Sequence, residues 1–409
     1  MFGNNDEHLK DEGIYDRDEI LERFIPVSVE DLVKDLGDSD FLDEEQTSLF
    51  NKISEMFVAL YHAQLHKNLL KLKRNYQPYS PDRDTVVVSR ASDCKKSEQV
   101  ATFKRDIQVI LDRANFESLS IDEINESLNK VSPYGVAVTV DLDEFEELAI
   151  HYRGIGYRIL VNRRWETLWI KKRYSEVPIY RRLFVLLKPK HDDSDNSSGE
   201  MNTNCIYLKL FKNIPQHDLE MLFPNTQVKM RLFDKIKLSL TGGGGTVTGI
   251  AGLVAKISGA VASLLGVVIA LVGFAAIIWR QIANVFNHRT KYMAELTKNL
   301  YFYNLNNNVG AISQLVDMAE GEEFKEAILA YYFLTAMPDT VFDQDLLDKK
   351  IEDYIEEKYG VTIDFEITDG LRKLDDCTML QRDSSGRLTT VDFKEALRVL
   401  NEMWDNMYD

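Results

Sequence analysis

The chain has 409 residues, 44% of them hydrophobic and 28% charged, with a formal net charge of −17. That composition leaves room for two or three domains with true cores, and excludes a wholly disordered chain or a polytopic transporter. The acidic balance excludes a general nucleic-acid binder, which needs a positive field.

The charge is unevenly spread. Residues 1–60 hold 17 acidic and 5 basic side chains, whereas 151–190 hold 11 basic and 2 acidic ones. Cys94, Cys205 and Cys377 are far apart and form no C-x-x-C pair, which points to a reducing compartment without a disulfide framework or zinc site. The acidic N-terminus lacks an apolar run and does not read as a secretory signal or a mitochondrial transit peptide.

In chain order, 17–36 and 42–75 read as amphipathic helices, the second marked by Leu49, Ile53, Met56, Phe57, Leu60 and Leu65 and stopped by Pro78 and Pro81. Helices are expected over 98–113 and 120–130, the latter capped by Ser120 or Asp122. Six β-rich stretches follow: 136–140, 148–152, 157–161, 167–171, 183–187 and 206–211. Gly154 and Gly156 stand where a hairpin turn is expected, and 190–204 reads as a disordered loop.

Thr246–Trp279 carries one charge, Lys256, and no proline, and Ile257–Trp279 is long enough to cross a bilayer. Gly245, Gly252, Gly259, Gly266 and Gly273 recur every seven residues, a helix-packing stripe for neighbouring helices or a second copy of the chain. Basic residues flank the segment on both sides (Lys229, Arg231, Lys235 and Lys237 before it; Arg280, Arg289, Lys291 and Lys298 after), which favours a helical hairpin over a single crossing. Beyond it, 280–303 and 309–336 read as helices broken at Asn304–Asn308. The order helix (346–359), helix (367–374), hairpin (383–386), helix (391–404) is that of a winged helix. Residues 339–409 carry 19 acidic and 9 basic side chains, which opposes DNA binding and favours protein contact.

Leu208–Met230, LKLFKNIPQHDLEMLFPNTQVKM, and Tyr301–Leu334, YFYNLNNNVGAISQLVDMAEGEEFKEAILAYYFL, together resemble the domain of unknown function 3754 family, which includes animal transmembrane protein 143. The resemblance covers about residues 90–405. It implies a membrane protein and carries no established reaction.

No motif outweighs its bland reading. Thr241–Gly249, TGGGGTVTG, lacks the Gly-Lys-Ser/Thr ending of a phosphate loop. His62 and His66 have the i, i+4 spacing of metal ligands, but Ala63 replaces the glutamate of H-E-x-x-H. Asp218 and Glu220 beside His217 read as capping or pairing groups, and Asn306, Asn307 and Asn308 as a helix break. Glu322, Glu323, Lys325 and Glu326 read as a helix start. The exception is Arg163, Arg164, Lys171, Lys172 and Arg173, interleaved with Trp165 and Trp169 in a surface suited to anionic headgroups.

The expected architecture is an α+β membrane protein. It comprises a soluble helical and antiparallel-sheet region (1–235), a glycine-rich transmembrane helix or helical hairpin (238–279), a helical region (280–338) and a winged-helix-like module (339–409). The expected function is a membrane-anchored, non-enzymatic scaffold or adaptor contacting anionic lipid and protein partners, without a cofactor, in a bacterial inner membrane with its soluble regions cytoplasmic. A small oligomeric channel or transporter, or a membrane-bound hydrolase, is the alternative.

Overall fold

The computed structural model describes residues 21–85, 93–129, 141–163, 172–190, 202–223, 300–384 and 386–407. They divide between two compact units, one of Met1–Leu119, Glu144–Pro215 and Asn304–Asp409, the other of Ser120–Asp143 and Gln216–Tyr303.

The first unit is α+β. An extended N-terminal arm (21–27) precedes α1 (Val29–Gly37), so the helix expected over 17–36 starts later. Pro26 disfavours helical geometry in Ile25 before it, and Ser28 caps α1 by accepting from the Asp31 amide at 3.1 Å. Helix α2 (Glu44–Tyr76) opens on a capping box. Asp43 Oδ1 accepts from Gln46 N at 2.8 Å, and Gln46 Oε1 accepts from Asp43 N at 3.0 Å. Helix α3 (Asp93–Arg113) leads into a five-stranded antiparallel sheet in the order β1 (Glu117–Ser118), β2 (Phe145–Arg163), β3 (Lys172–Pro189), β4 (Tyr207–Pro215), β5 (Asn304–Asn307).

The two stretches expected as separate strands, 148–152 and 157–161, are one 19-residue strand. Gly154 and Gly156 therefore make no turn. Gly154 has φ +76, and a Cβ there would meet Phe24 Cε1 at 2.6 Å, Arg181 Cδ at 2.9 Å and Glu22 Oε2 at 3.0 Å. The glycine exists to let the N-terminal arm lie on the sheet. Asn304–Asn307, expected as a break between helices, form the edge strand β5 beside β4.

Numbering the helix of the second unit (Ile121–Asn129) as α4, the long helix α5 (Asn308–Ala336) runs beside α2. Its first half, with Ala311, Ile312, Leu315, Val316 and Ala319, joins one apolar core with the end of α2, with α3 and with the sheet. Its second half, from Phe324 to Leu334, joins another with α1, the start of α2 and the C-terminal elements. Those are α6 (Gln344–Tyr359), α7 (Ile367–Asp376), the hairpin β6 (Leu380–Arg382)–β7 (Leu388–Thr390) and α8 (Phe393–Asp405), in the order read from the sequence. Gly360 at φ +66 closes α6 in the left-handed region.

In the second unit, Ser120 and Glu123 form a capping box on α4, Ser120 N donating to Glu123 Oε2 at 2.8 Å. Helix α4 packs on a short helical turn, Gln216–Leu222.

The expected membrane architecture and inner-membrane location are corrected. Among the described residues, no helix is long and apolar enough to cross a membrane. Helix α2, 33 residues long, carries charges along its length, and α5, with 29, has four ionisable residues at its middle. The expected span, 238–279, lies outside the described residues, with its stripe of Gly245, Gly252, Gly259, Gly266 and Gly273. So do the stretches 136–140 and 167–171 and most of the expected helix 280–303.

Candidate functional site

Glu322, Glu323, Lys325 and Glu326 do not start a helix. They lie at the middle of α5, where its two apolar cores meet, and each is at most 6% exposed. Burying four ionisable groups is costly unless each finds a partner. Glu322 Oε1 accepts from Arg153 Nη2 of β2 at 2.8 Å and from Lys325 Nζ at 2.6 Å, and Glu322 Oε2 accepts from Ile25 N of the N-terminal arm at 3.0 Å. Lys325 also donates to the Ile25 carbonyl. Arg153 sits 4.5 Å from the Phe24 ring centroid, a cation–π contact. One carboxylate thereby ties together three parts of the chain hundreds of residues apart.

Glu22 extends this lattice onto the sheet. Its Oε1 accepts from Ile155 N at 3.0 Å and lies 3.6 Å from Arg181 Nε, while its backbone pairs with Thr362 and Asp364. Desolvation pushes the Glu22 carboxyl up to about 7, against the lowering pull of the Ile155 amide and Arg153. Burial likewise lowers the Arg153 and Lys325 pKa values, and raises that of Glu326 despite the Lys373 ammonium hydrogen-bonded to it.

Beside the lattice lies a cleft of about 510 Å³, within the size range of small-molecule sites. Helices α2, α3, α5, α7 and α8 and the N-terminal arm line it. Arg23, Arg113, Arg372 and Lys373 line it together with Asp112, Glu323, Glu366, Asp369 and Asp376. Arg23 pairs with Glu366, and Arg372 Nη2 with Asp369 Oδ1 at 3.0 Å. Glu323, 6% exposed, is held more loosely, 3.8 Å from Arg113 Nε and 3.5 Å from Lys373 Nζ. Both distances exceed that of a charge-assisted hydrogen bond. Asn115, at φ +56, joins cleft, arm and lattice by donating to the Arg23 carbonyl at 2.9 Å and to Glu326 Oε1 at 3.0 Å. Burial, then Asp376, pushes the Cys377 thiol up to about 12, so it stays protonated and is no nucleophile at neutral pH.

A second feature is the β2–β3 hairpin. Strand β4 pairs with β3 no further than Ile179, yet β2 and β3 continue for seven more pairs, from Tyr157↔Pro178 to Arg163↔Lys172. At about 3.3 Å per residue this two-stranded extension is about 23 Å long. The backbone places three of the residues expected to contact lipid at its far end, Arg163 opposite Lys172 and Arg173 opposite Asn162. Arg164, Trp165, Trp169 and Lys171 fall in the connection, outside the described residues.

The other singled-out residues have local partners. His62 Nδ1 lies 3.1 Å from Glu320 Oε2, and the His62 and His66 rings are 5.9 Å apart. Among the described residues, no group of three His, Cys, Asp or Glu is placed to hold a metal. Asn308, buried at φ 49, accepts through Oδ1 from Tyr76 Oη at 2.9 Å and Leu208 N at 3.0 Å, and donates to Asp82 at 2.5 Å. It is a structural bracket between α2, β4 and α5. Asp218, in the second unit, is buried, and desolvation raises its carboxyl to about 6.

Sequence reasoning missed the lattice and the cleft. The available signal was the close group Glu322, Glu323, Lys325 and Glu326 directly before the apolar stretch 327–334 of one helix, which is where buried pairing is required.

Fold and site define an α+β protein built on an antiparallel sheet with an extended hairpin and a buried ionic lattice. Residues 145–310 match the model of the family described as Protein of unknown function (DUF3754), a match that supports membership of that family. No solved structure matches the chain.

Proposed function

We propose that this chain is a non-enzymatic adaptor that uses the β2–β3 extension as a contact arm for an anionic surface, with phospholipid headgroups as the partner. The observation that carries this reading is the run of seven strand pairs beyond the last residue of β3 paired to β4. Among the described residues no third strand flanks these pairs, and a two-stranded ribbon by itself is marginally stable in water, so one this long is suited to docking on something else. The backbone places Arg163, Lys172 and Arg173 at its far end, and the sequence that connects its two strands adds Arg164, Trp165, Trp169 and Lys171. Such side chains favour a headgroup layer, each near-surface cation contributing about 1 kcal/mol.

The full chain is expected to sediment with phosphatidylglycerol-containing vesicles, not with phosphatidylcholine vesicles, and to be released by salt, which screens exposed charges. Changing Arg163, Arg164, Lys171 and Lys172 together to Glu is expected to weaken this binding by at least about a hundredfold. Undiminished binding by that variant, or none by the parent, contradicts the proposal.

A further inference from the structure

The cleft beside the ionic lattice does not involve the β2–β3 extension and has its own unsatisfied chemistry. Tyr61 of α2 lines it and is 8% exposed, and its buried hydroxyl has no hydrogen-bond partner among the described residues. A buried hydroxyl left unpaired is destabilising, so natural structures rarely keep one without a use. Glu323 and Arg113, both lining residues, stand 3.8 Å apart and leave hydrogen-bonding capacity unused on each side. Val109, Phe116 and Met403 complete the lining with apolar surface.

We propose that this cleft binds a small zwitterion with an apolar body, of the size and chemistry of an aliphatic amino acid. The ammonium sits at Glu323 and the Tyr61 oxygen, and the carboxylate meets the Arg113 guanidinium. An anion alone would face Glu323 and Asp376, and a cation alone would face Arg113 and Arg372. A molecule with both charges meets each wall with its opposite. Burial, followed by the proximity of Cys377, Glu323, Glu326 and Asp376, pushes the Tyr61 pKa well above that of an ordinary tyrosine. The negative surroundings favour an ammonium at this end. The Tyr61 hydroxyl keeps its proton and offers its oxygen lone pairs to the ligand.

Three probes of matched shape separate the charges: L-leucine (zwitterion), isopentylamine (cation) and 4-methylpentanoate (anion). Calorimetric titration of the full chain is expected to show leucine binding at least tenfold tighter than either singly charged analogue. Tyr61→Phe is expected to weaken leucine binding about tenfold, and Arg113→Met to abolish it. Because Tyr61→Phe removes only the orphaned hydroxyl, the unliganded variant is expected to melt no lower than the parent, which separates a binding role from a structural one. Absence of leucine binding, equal binding of the three probes, or leucine affinity unchanged in Tyr61→Phe overturns the proposal. Vesicle binding through the arm is unaffected by any of these outcomes.

Discussion

Replacing Glu322 by alanine is expected to destabilise the first unit by about 3–5 kcal/mol, the cost of breaking a buried ion pair by removing one partner. Glu322 is 1% exposed and accepts from Arg153, Lys325 and the Ile25 amide. Without it, two cations and a backbone N–H stay buried with the carboxylate they share gone. Denaturant unfolding of the full chain, monitored by far-UV circular dichroism, reads the loss as a lower midpoint. The loss belongs to the broken pairing, since a well-packed apolar replacement of all the partners can be neutral. The triple variant Glu322→Leu, Arg153→Met, Lys325→Met is therefore expected to recover most of the stability. A single variant as stable as the parent shows that the carboxylate does not hold the arm, the sheet and α5 together.

The second large effect is on pH dependence. Glu22 titrates in the unfolded chain at its ordinary value of 4.5 and in the folded chain at about 7. Between those values the folded chain holds a proton that the unfolded chain has released. The resulting stability is fully present below about 4.5, falls as pH rises, and is gone above about 7, a change of at most about 3 kcal/mol. Asp218 and Asp348, each raised to about 6 by burial, titrate in the same window. The quantity to read is therefore the difference between parent and Glu22→Gln. That difference is expected to move in favour of the glutamine variant as pH rises from 4.5 to 7, and parallel curves would contradict the assigned shift.

Much of the secondary structure was legible because local signals and burial agree. The apolar spacing and the Asp43 capping box mark α2, and the β-branched stretches mark the sheet. The C-terminal helices and hairpin follow their periodicity and turn residues. The failures come from contacts with distant segments. Gly154 and Gly156 read as a turn because nothing local reveals that Phe24 and Glu22 press against the Gly154 backbone. Asn304–Asn307 read as a helix break, since asparagine has low strand propensity and β4 alone makes them an edge strand. Glu322–Glu326 read as an exposed helix start because their partners, Ile25, Arg153 and Lys373, are remote in sequence. The membrane reading rested on 238–279, its basic flanks and the family resemblance, and the long helices of the described residues carry charges that a span excludes. The cleft was invisible for the same reason as the lattice, its walls coming from the N-terminal arm and five helices.

The central claim, that the β2–β3 extension is a contact arm, is tested most directly by amide hydrogen exchange of the full chain with and without phosphatidylglycerol-containing vesicles. The arm amides, in 157–163 and 172–178, are expected to exchange faster in the free chain than those of β3 from Ile179 to Leu187, which β4 flanks. They are expected to gain protection when vesicles are added. Arm amides that exchange as slowly as the flanked part of β3 in the free chain, or that show no change with vesicles, would contradict the account.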